Sequence, residues 1–257
     1  MEFKRVYYLV SLNQKSYPGL KQKAAFITFL FIFLLNNLIL YGQKQKPKNE
    51  SWYDEKLIHF GFSLGFNTMD FNITPSQKYF QLNNLYPEVS ILNPGINIQI
   101  VTDLRPANHM DIRFLPGVSF GQRVIRFYKN GVLVNGQQSL ESSFLEFPLL
   151  LKYKGDRLNN LRPYVIGGFN FRYDLAGKKE FDDTKAIYLR IKRPDLYYEL
   201  GAGMDFYLVY FKLSIELKMS NGFGNVLVSE VAPGHPEYVN AIEKMKSQIW
   251  ILAFHFE

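Results

Sequence analysis

FLEFPLLLKY (Phe144–Tyr153), KGDRLNNLR (Lys154–Arg162) and PYVIGGFNFRY (Pro163–Tyr173) decide the fold. In the first run Leu145, Phe147, Leu149, Leu151 and Tyr153 share one face, and Phe144, Glu146, Pro148, Leu150 and Lys152 the other. The third run repeats the design, setting Val165, Phe169, Phe171 and Tyr173 against Ile166, Gly168, Asn170 and Arg172. Side chains of a strand alternate faces, so each run has one greasy, aromatic-ended face and one small, polar or charged face. Each is about 10 residues long, enough for a tilted strand to cross the hydrocarbon core of a bilayer. A soluble sandwich also alternates, so the rest of the chain must repeat the pattern to settle the reading.

It does. Ile58, Phe60, Phe62, Leu64 and Phe66 alternate with His59, Gly61, Ser63 and Gly65, and Ile96, Ile98 and Ile100 with Asn97 and Gln99. A third strand starts near Met110 and runs toward RVIRFYKNGVLVNG, where Asn130-Gly131 signals a hairpin. YYELGAGMDF, the segment Phe211–Met219 and QIWILAFHFE supply the sixth, seventh and eighth strands. The connections after strands one, three, five and seven are long, and those between are short. This predicts an all-β, eight-stranded antiparallel up-and-down transmembrane β-barrel, with long outer loops, short periplasmic turns and both termini periplasmic. Pro148 and Pro116 conflict with mid-strand positions, because proline removes a ladder donor, and a bulge is expected at Pro148.

The chain has 257 residues, 23 Phe, 17 Tyr and no Cys, which excludes disulfides and thiolate metal sites. Its formal charge of +7 comes from 30 basic and 23 acidic residues. Residues 1–43 hold five of the former and one of the latter; without them 25 and 22 remain, an ordinary surface with no nucleic-acid patch. A basic stretch to Lys23 followed by AAFITFLFIFLL (Ala24–Leu35) reads as an export signal over 1–43. A polar linker is expected over 44–56 and the barrel over 57–257.

No residues announce chemistry. His59, His109, His235 and His255 are scattered, without the i, i+4 spacing of a metal helix. His59, Ser63 and Asp205 could in principle assemble a Ser-His-Asp group, but no spacing brings them together, and His255 is expected at the membrane interface. Asp182-Asp183 is too sparse for a hard cation. We therefore expect no catalytic residues, cofactor, metal or small-molecule substrate. An eight-stranded barrel is just wide enough for its own side chains, so the inward charges should plug it. Strand direction places Glu146, Arg172, Glu199 and Lys218 near the outer end on four neighbouring strands, with alternating sign. Nearer the periplasmic end Asp205 and Lys212 flank one turn, and Asp111 approaches Lys152.

FLPGVSFGQRVIRF, ESSFLEFPLLLKYKGDRLNNLRPYVIGGFNFRYDLAGKKE and YYELGAGMDFYLVYFKLSIELKMSNG resemble the PorT family of Bacteroidetes outer-membrane proteins, also called SprT in gliding bacteria. With FGFSLGFN and LNPGINIQIVTDLRP the similarity runs from about Ile58 to the C-terminus. The resemblance implies a non-enzymatic accessory barrel for type IX protein secretion and gliding motility. It would sit in outer-membrane lipid and work with other type IX secretion components. Two alternatives from other classes are a lipid-modifying enzyme on the same barrel and a soluble lipocalin-like carrier; a structural or adhesive barrel is a third.

Overall fold

The computed structural model describes residues 48–77, 84–89, 93–177 and 188–257. The expected export segment 1–43, the start of the linker, and Asp182 and Asp183 lie outside the described residues. Among those residues ten strands form one antiparallel sheet. They are β1 (Ile58–Pro75), β2 (Leu85–Val89), β3 (Pro94–Ala107), β4 (Met110–Phe114) and β5 (Gly117–Lys129), then β6 (Val132–Lys154), β7 (Leu161–Asp174), β8 (Pro194–Tyr207), β9 (Lys212–Gly222) and β10 (Ile242–Phe256). The sheet closes on itself. β1 pairs with β10 on one side and β3 on the other, and β3 leads through β4 and β5 to β6, β7, β8, β9 and back to β10. Counting β4 and β5 as one wall strand, the ring has eight members. β2 pairs with β5 outside that ring.

Two prolines explain why one wall strand is recorded as two. From β4 to β5 the register against β3 carries across the gap unchanged, and so does that against β6; the shifts in these pairings lie elsewhere, between Leu104 and Ala107 and between Arg126 and Phe127. Leu115 and Pro116 fill the gap. Leu115 N–H donates to the Pro148 carbonyl at 3.2 Å, and Ile100 N–H to the Pro116 carbonyl at 2.9 Å. In an antiparallel ladder a residue points N and O to the same neighbour, so each proline forfeits the return bond of its own pair. Pro148 therefore carries no bulge of its own: its pairing with Asn170 of β7 is in regular register. The interruption expected at Pro148 lies across from it, at Leu115 and Pro116, so the two prolines fall on adjacent rungs.

Outside, Phe60, Phe62, Leu64, Phe66, Leu149, Leu151, Val165, Phe169, Leu200 and Leu217 are all exposed. Such a contiguous belt is tolerable only against lipid. Inside the same rungs the faces are polar. Past the belt, on the long-loop side, the rule reverses. In β1 the inward Met69 and Phe71 are buried, whereas the outward Asn72 and Thr74 are exposed. In β5 the inward Ile125 and Phe127 are buried, and Lys244 and Glu243 of β10 face out. This inversion accounts for β1 running to Pro75 rather than ending near Phe66: its alternation changes sign without losing its period. The upper sheet encloses an apolar cluster with Leu85, Tyr188, Leu227, Tyr238, Ile242 and Met245, closed by the short helix α1 (Pro236–Asn240). At the tip, Asn130 and Gly131 have φ of 51° and 79° and join the paired Lys129 and Val132. Positive φ at both turn residues is the hairpin geometry that Asn-Gly favours.

Close strand approach fixes glycine at particular rungs. A Cβ on Gly61 would sit 2.2 Å from the Phe256 carbonyl oxygen at the β1–β10 closure, and one on Gly168 would sit 2.3 Å from that of Leu149. Both obstacles are backbone and cannot rotate away. Gly168→Val should therefore cost about 1–3 kcal/mol or block closure. Heat-modifiable gel migration in a denaturant series would measure it, and an unchanged midpoint would refute the packing argument.

Candidate functional site: the charged lumen and its terminal rim

The lumen within the belt is lined by buried charges of both signs. Among the described residues the buried acids are Asp103, Asp111, Glu146, Asp174, Glu199, Asp205, Glu216 and Glu257, and the buried bases are Arg113, Arg123, Lys152, Lys154, Arg162, Arg172, Lys212 and Lys218. The two signs are close to balanced. In a space shut off from water, a charge without a partner would cost several kcal/mol, so such a balance is what the closed wall favours.

Nearest the loops, Arg123 lies over the Phe71 ring at 4.4 Å and donates to the Ser247 hydroxyl at 2.9 Å, with Asp174 at 3.5 Å. Below it Arg172 joins two carboxylates, Glu146 at 2.8 Å and Glu199 at 3.0 Å. Glu199 also holds Lys218 at 3.1 Å. These four residues thus form one chain across β6, β7, β8 and β9. Gln99 and Ser119 each donate to Glu146 at 2.7 Å, and Asn170 to Glu199 at 2.8 Å, which adds neutral donors to the ion pairs.

The lower pairs are arranged differently from the expectation. Asp111 pairs with Lys154 at 2.6 Å, not with Lys152, although Lys152 is its backbone rung partner. Lys152 instead passes over the Tyr164 ring at 3.8 Å and reaches Asp205 at 2.9 Å. Lys212 then pairs with Glu257 at 2.8 Å rather than with Asp205. The long lysine stems span more than one rung, so rung adjacency does not fix the partner. Arg113, Asp103 and Glu216 were absent from the expected set, yet Arg113 is bidentate to Asp103 at 2.6 and 2.7 Å and reaches Glu257 at 2.9 Å. All three lie on the inward-facing parity of their strands, which is the signal that would have found them.

His255 faces inward, fully buried and 3.5 Å from Glu216, rather than at the membrane interface. Its neighbours Phe254 and Phe256 take the outward positions. His59 stacks on Tyr53 with ring centroids 3.9 Å apart. Asp205 is taken by Lys152 and Ser214, so no hydrogen bond joins it to His59 or Ser63. Among the described residues no group of His, Asp and Glu has the arrangement to hold a metal ion.

The end that carries both described termini is sealed by residues expected to be part of a linker. Ser51–Glu55 form a single 3-10 turn. Tyr53 is buried; its hydroxyl donates to Glu257 at 2.6 Å and accepts from Lys212 at 2.7 Å. Asp54 lies between Arg105 at 3.1 Å, Arg157 at 3.1 Å and Arg162 at 3.0 Å. Burial alone would raise the Asp54 carboxyl, but the Arg157 hydrogen bond and the Arg162 and Arg105 charges outweigh it and hold it below its ordinary value.

A family model described as "Outer membrane protein beta-barrel domain" matches residues 41–228. No curated protein matches the chain in sequence. Solved barrels resemble it: outer membrane protein OprG of Pseudomonas aeruginosa is 13% identical, over 77% of this chain and 93% of its own, with a TM-score of 0.40. Neisserial surface protein A is 10% identical over 78% and 98%, with a TM-score of 0.37.

Two outcomes follow from the lumen and its rim. Arg172→Leu leaves Glu146 and Glu199 short of a cation and should cost roughly 3–5 kcal/mol, against at most about 0.5 kcal/mol for Lys129→Leu at the exposed hairpin tip. Urea unfolding in detergent compares them, and equal losses would refute the network. For Asp54, a lowered carboxyl strengthens docking of the turn above the ordinary aspartate value of about 3.9, and that strength is lost as pH falls through the lowered value. Amide protection at Tyr53 and Lys56 should stay level at milder pH and collapse only below about pH 4.

Proposed function

Given that the chain belongs to the outer membrane protein beta-barrel domain family, we propose that it is a PorT/SprT-type barrel that supports type IX secretion without performing catalysis. The support for the finer assignment is the sequence resemblance. The FLEFPLLLKYK and RPYVIGG blocks fall on β6 and β7, the two strands that carry Glu146 and Arg172. The observation that carries the non-enzymatic, non-channel part is the lumen. Its inward charges pair with one another across neighbouring strands, which supports a filled interior. Function then falls to the outer wall, the long loops and the terminal rim, where a partner protein can reach.

In this reading the barrel sits in outer-membrane lipid with both termini on the periplasmic side, residues 1–43 direct export, and the partners are other type IX secretion components. Deleting the gene should leave proteins bearing a C-terminal sorting domain in the periplasm, and a plasmid copy should restore their arrival at the surface. Immunoblots of periplasmic and surface fractions test this; normal surface levels in the deletion strain would overturn the assignment.

A further inference from the structure

The rim around Asp54 is dense in cations. Three guanidinium groups face this one carboxylate, and Arg157 also lies within electrostatic reach of Glu50 in the same turn. The arginine side chains are only 9%, 5% and 5% exposed, whereas Asp54 is 26% exposed. The host is wall and the guest is outermost.

The host is also organised without the guest. Arg162 donates to the Gly155 carbonyl at 2.9 Å and the Asn108 carbonyl at 2.7 Å. Arg157 donates to the Asn159 carbonyl at 3.0 Å, and Arg105 to the Asn108 carbonyl at 3.3 Å. These acceptors belong to the short barrel turns, so the arginines keep their aim if the 3-10 turn leaves.

What they read in the guest is peptide chemistry. Arg105 donates to the backbone carbonyl of Asp54, and Arg157 to that of Asn49, besides the carboxylate itself. One residue earlier, the Tyr53 ring fills a slot between His59 and Tyr207, with its hydroxyl on Lys212 and Glu257. Planar, forked guanidinium groups suit such bidentate recognition of carboxylate and carbonyl oxygens.

We propose that this rim is a peptide-binding site that the chain's own Asn49–Glu55 turn occupies at rest, and that its external ligand is a protein segment carrying an aromatic residue followed by a carboxylate. The tethered turn benefits from a high local concentration, so an external segment must compete with it. Binding therefore exchanges one acidic turn for another, and releases Asn49–Glu55 from the barrel. The site stands on the geometry of the rim and does not depend on the secretion assignment.

The test uses the full chain refolded in detergent, with Tyr53→Ala and Asp54→Asn combined to vacate the rim, and a fluorescent peptide of sequence Asn-Glu-Ser-Trp-Tyr-Asp-Glu. Fluorescence anisotropy should show the vacated protein binding the peptide at least about tenfold tighter than the native protein does. Replacing the peptide's aspartate by asparagine, or adding Arg162→Ala to the vacated protein, should each lose at least about tenfold. Equal binding by vacated and native protein, or indifference to the aspartate, overturns the site. If the double variant does not show heat-modifiable migration, native protein is used: saturating peptide should lower amide protection at Tyr53 and Lys56 at least about tenfold, and unchanged protection overturns the proposal. A stable complex between native and vacated protein would assign the rim to a second copy of this chain, and would overturn the external ligand.

Discussion

A ring of eight wall strands leaves its interior no water to spare, so every inward charge must be cancelled within the wall itself. That constraint orders the rest of the structure. It favours a near balance of buried acids and bases, with Gln99, Ser119 and Asn170 adding neutral donors to the carboxylates. Arg172 shows the result most fully: fixed on β7, it holds carboxylates from β6 and β8 at once. Such a network adds little net stability over an apolar filling, because desolvation offsets most of the Coulomb gain. Its effect is on specificity, since a strand shifted by one residue would turn its whole charged set toward lipid.

The backbone meets the same narrowness with local concessions. Glycines stand where neighbouring strands come too close for a Cβ, as at Gly61 against Phe256 and Gly168 against Leu149. The two prolines place their missing donors on adjacent rungs, at Ile100–Pro116 and Leu115–Pro148, so one gap in the wall strand accommodates both. Leu115 stays buried and inward in that gap, and the parity of the wall strand passes through it unchanged.

Period-two alternation made the barrel legible in the sequence, along with the even number of strands and the Asn130-Gly131 hairpin. Inward polarity likewise picked out Glu146, Arg172, Glu199 and Lys218 as neighbours. What the sequence did not show has two physical sources. Partner choice among long side chains depends on strand stagger, so Lys152 leaves its rung partner Asp111 for Asp205, two wall strands away. Contacts between distant parts of the chain leave no local trace either. Nothing about SWYDE marks Tyr53 as the partner of Glu257, or Asp54 as the partner of Arg162. The polarity inversion was equally hidden, because a strand whose inward face turns apolar reads as the end of a membrane strand.

That inversion gives the molecule a fixed draught. Along β1 the outward face changes from Phe66 to Asn72 and the inward face from Ser63 to Phe71 within a few rungs. Sinking the barrel deeper would drag solvated side chains such as Thr74 and Lys244 into hydrocarbon, and lifting it would strip lipid from Phe66. Both displacements are uphill for the same strands, so the bilayer grips the wall at one level. The sheet above that level is in effect a soluble β-protein standing on a membrane one, held upright and at constant height over the lipid surface.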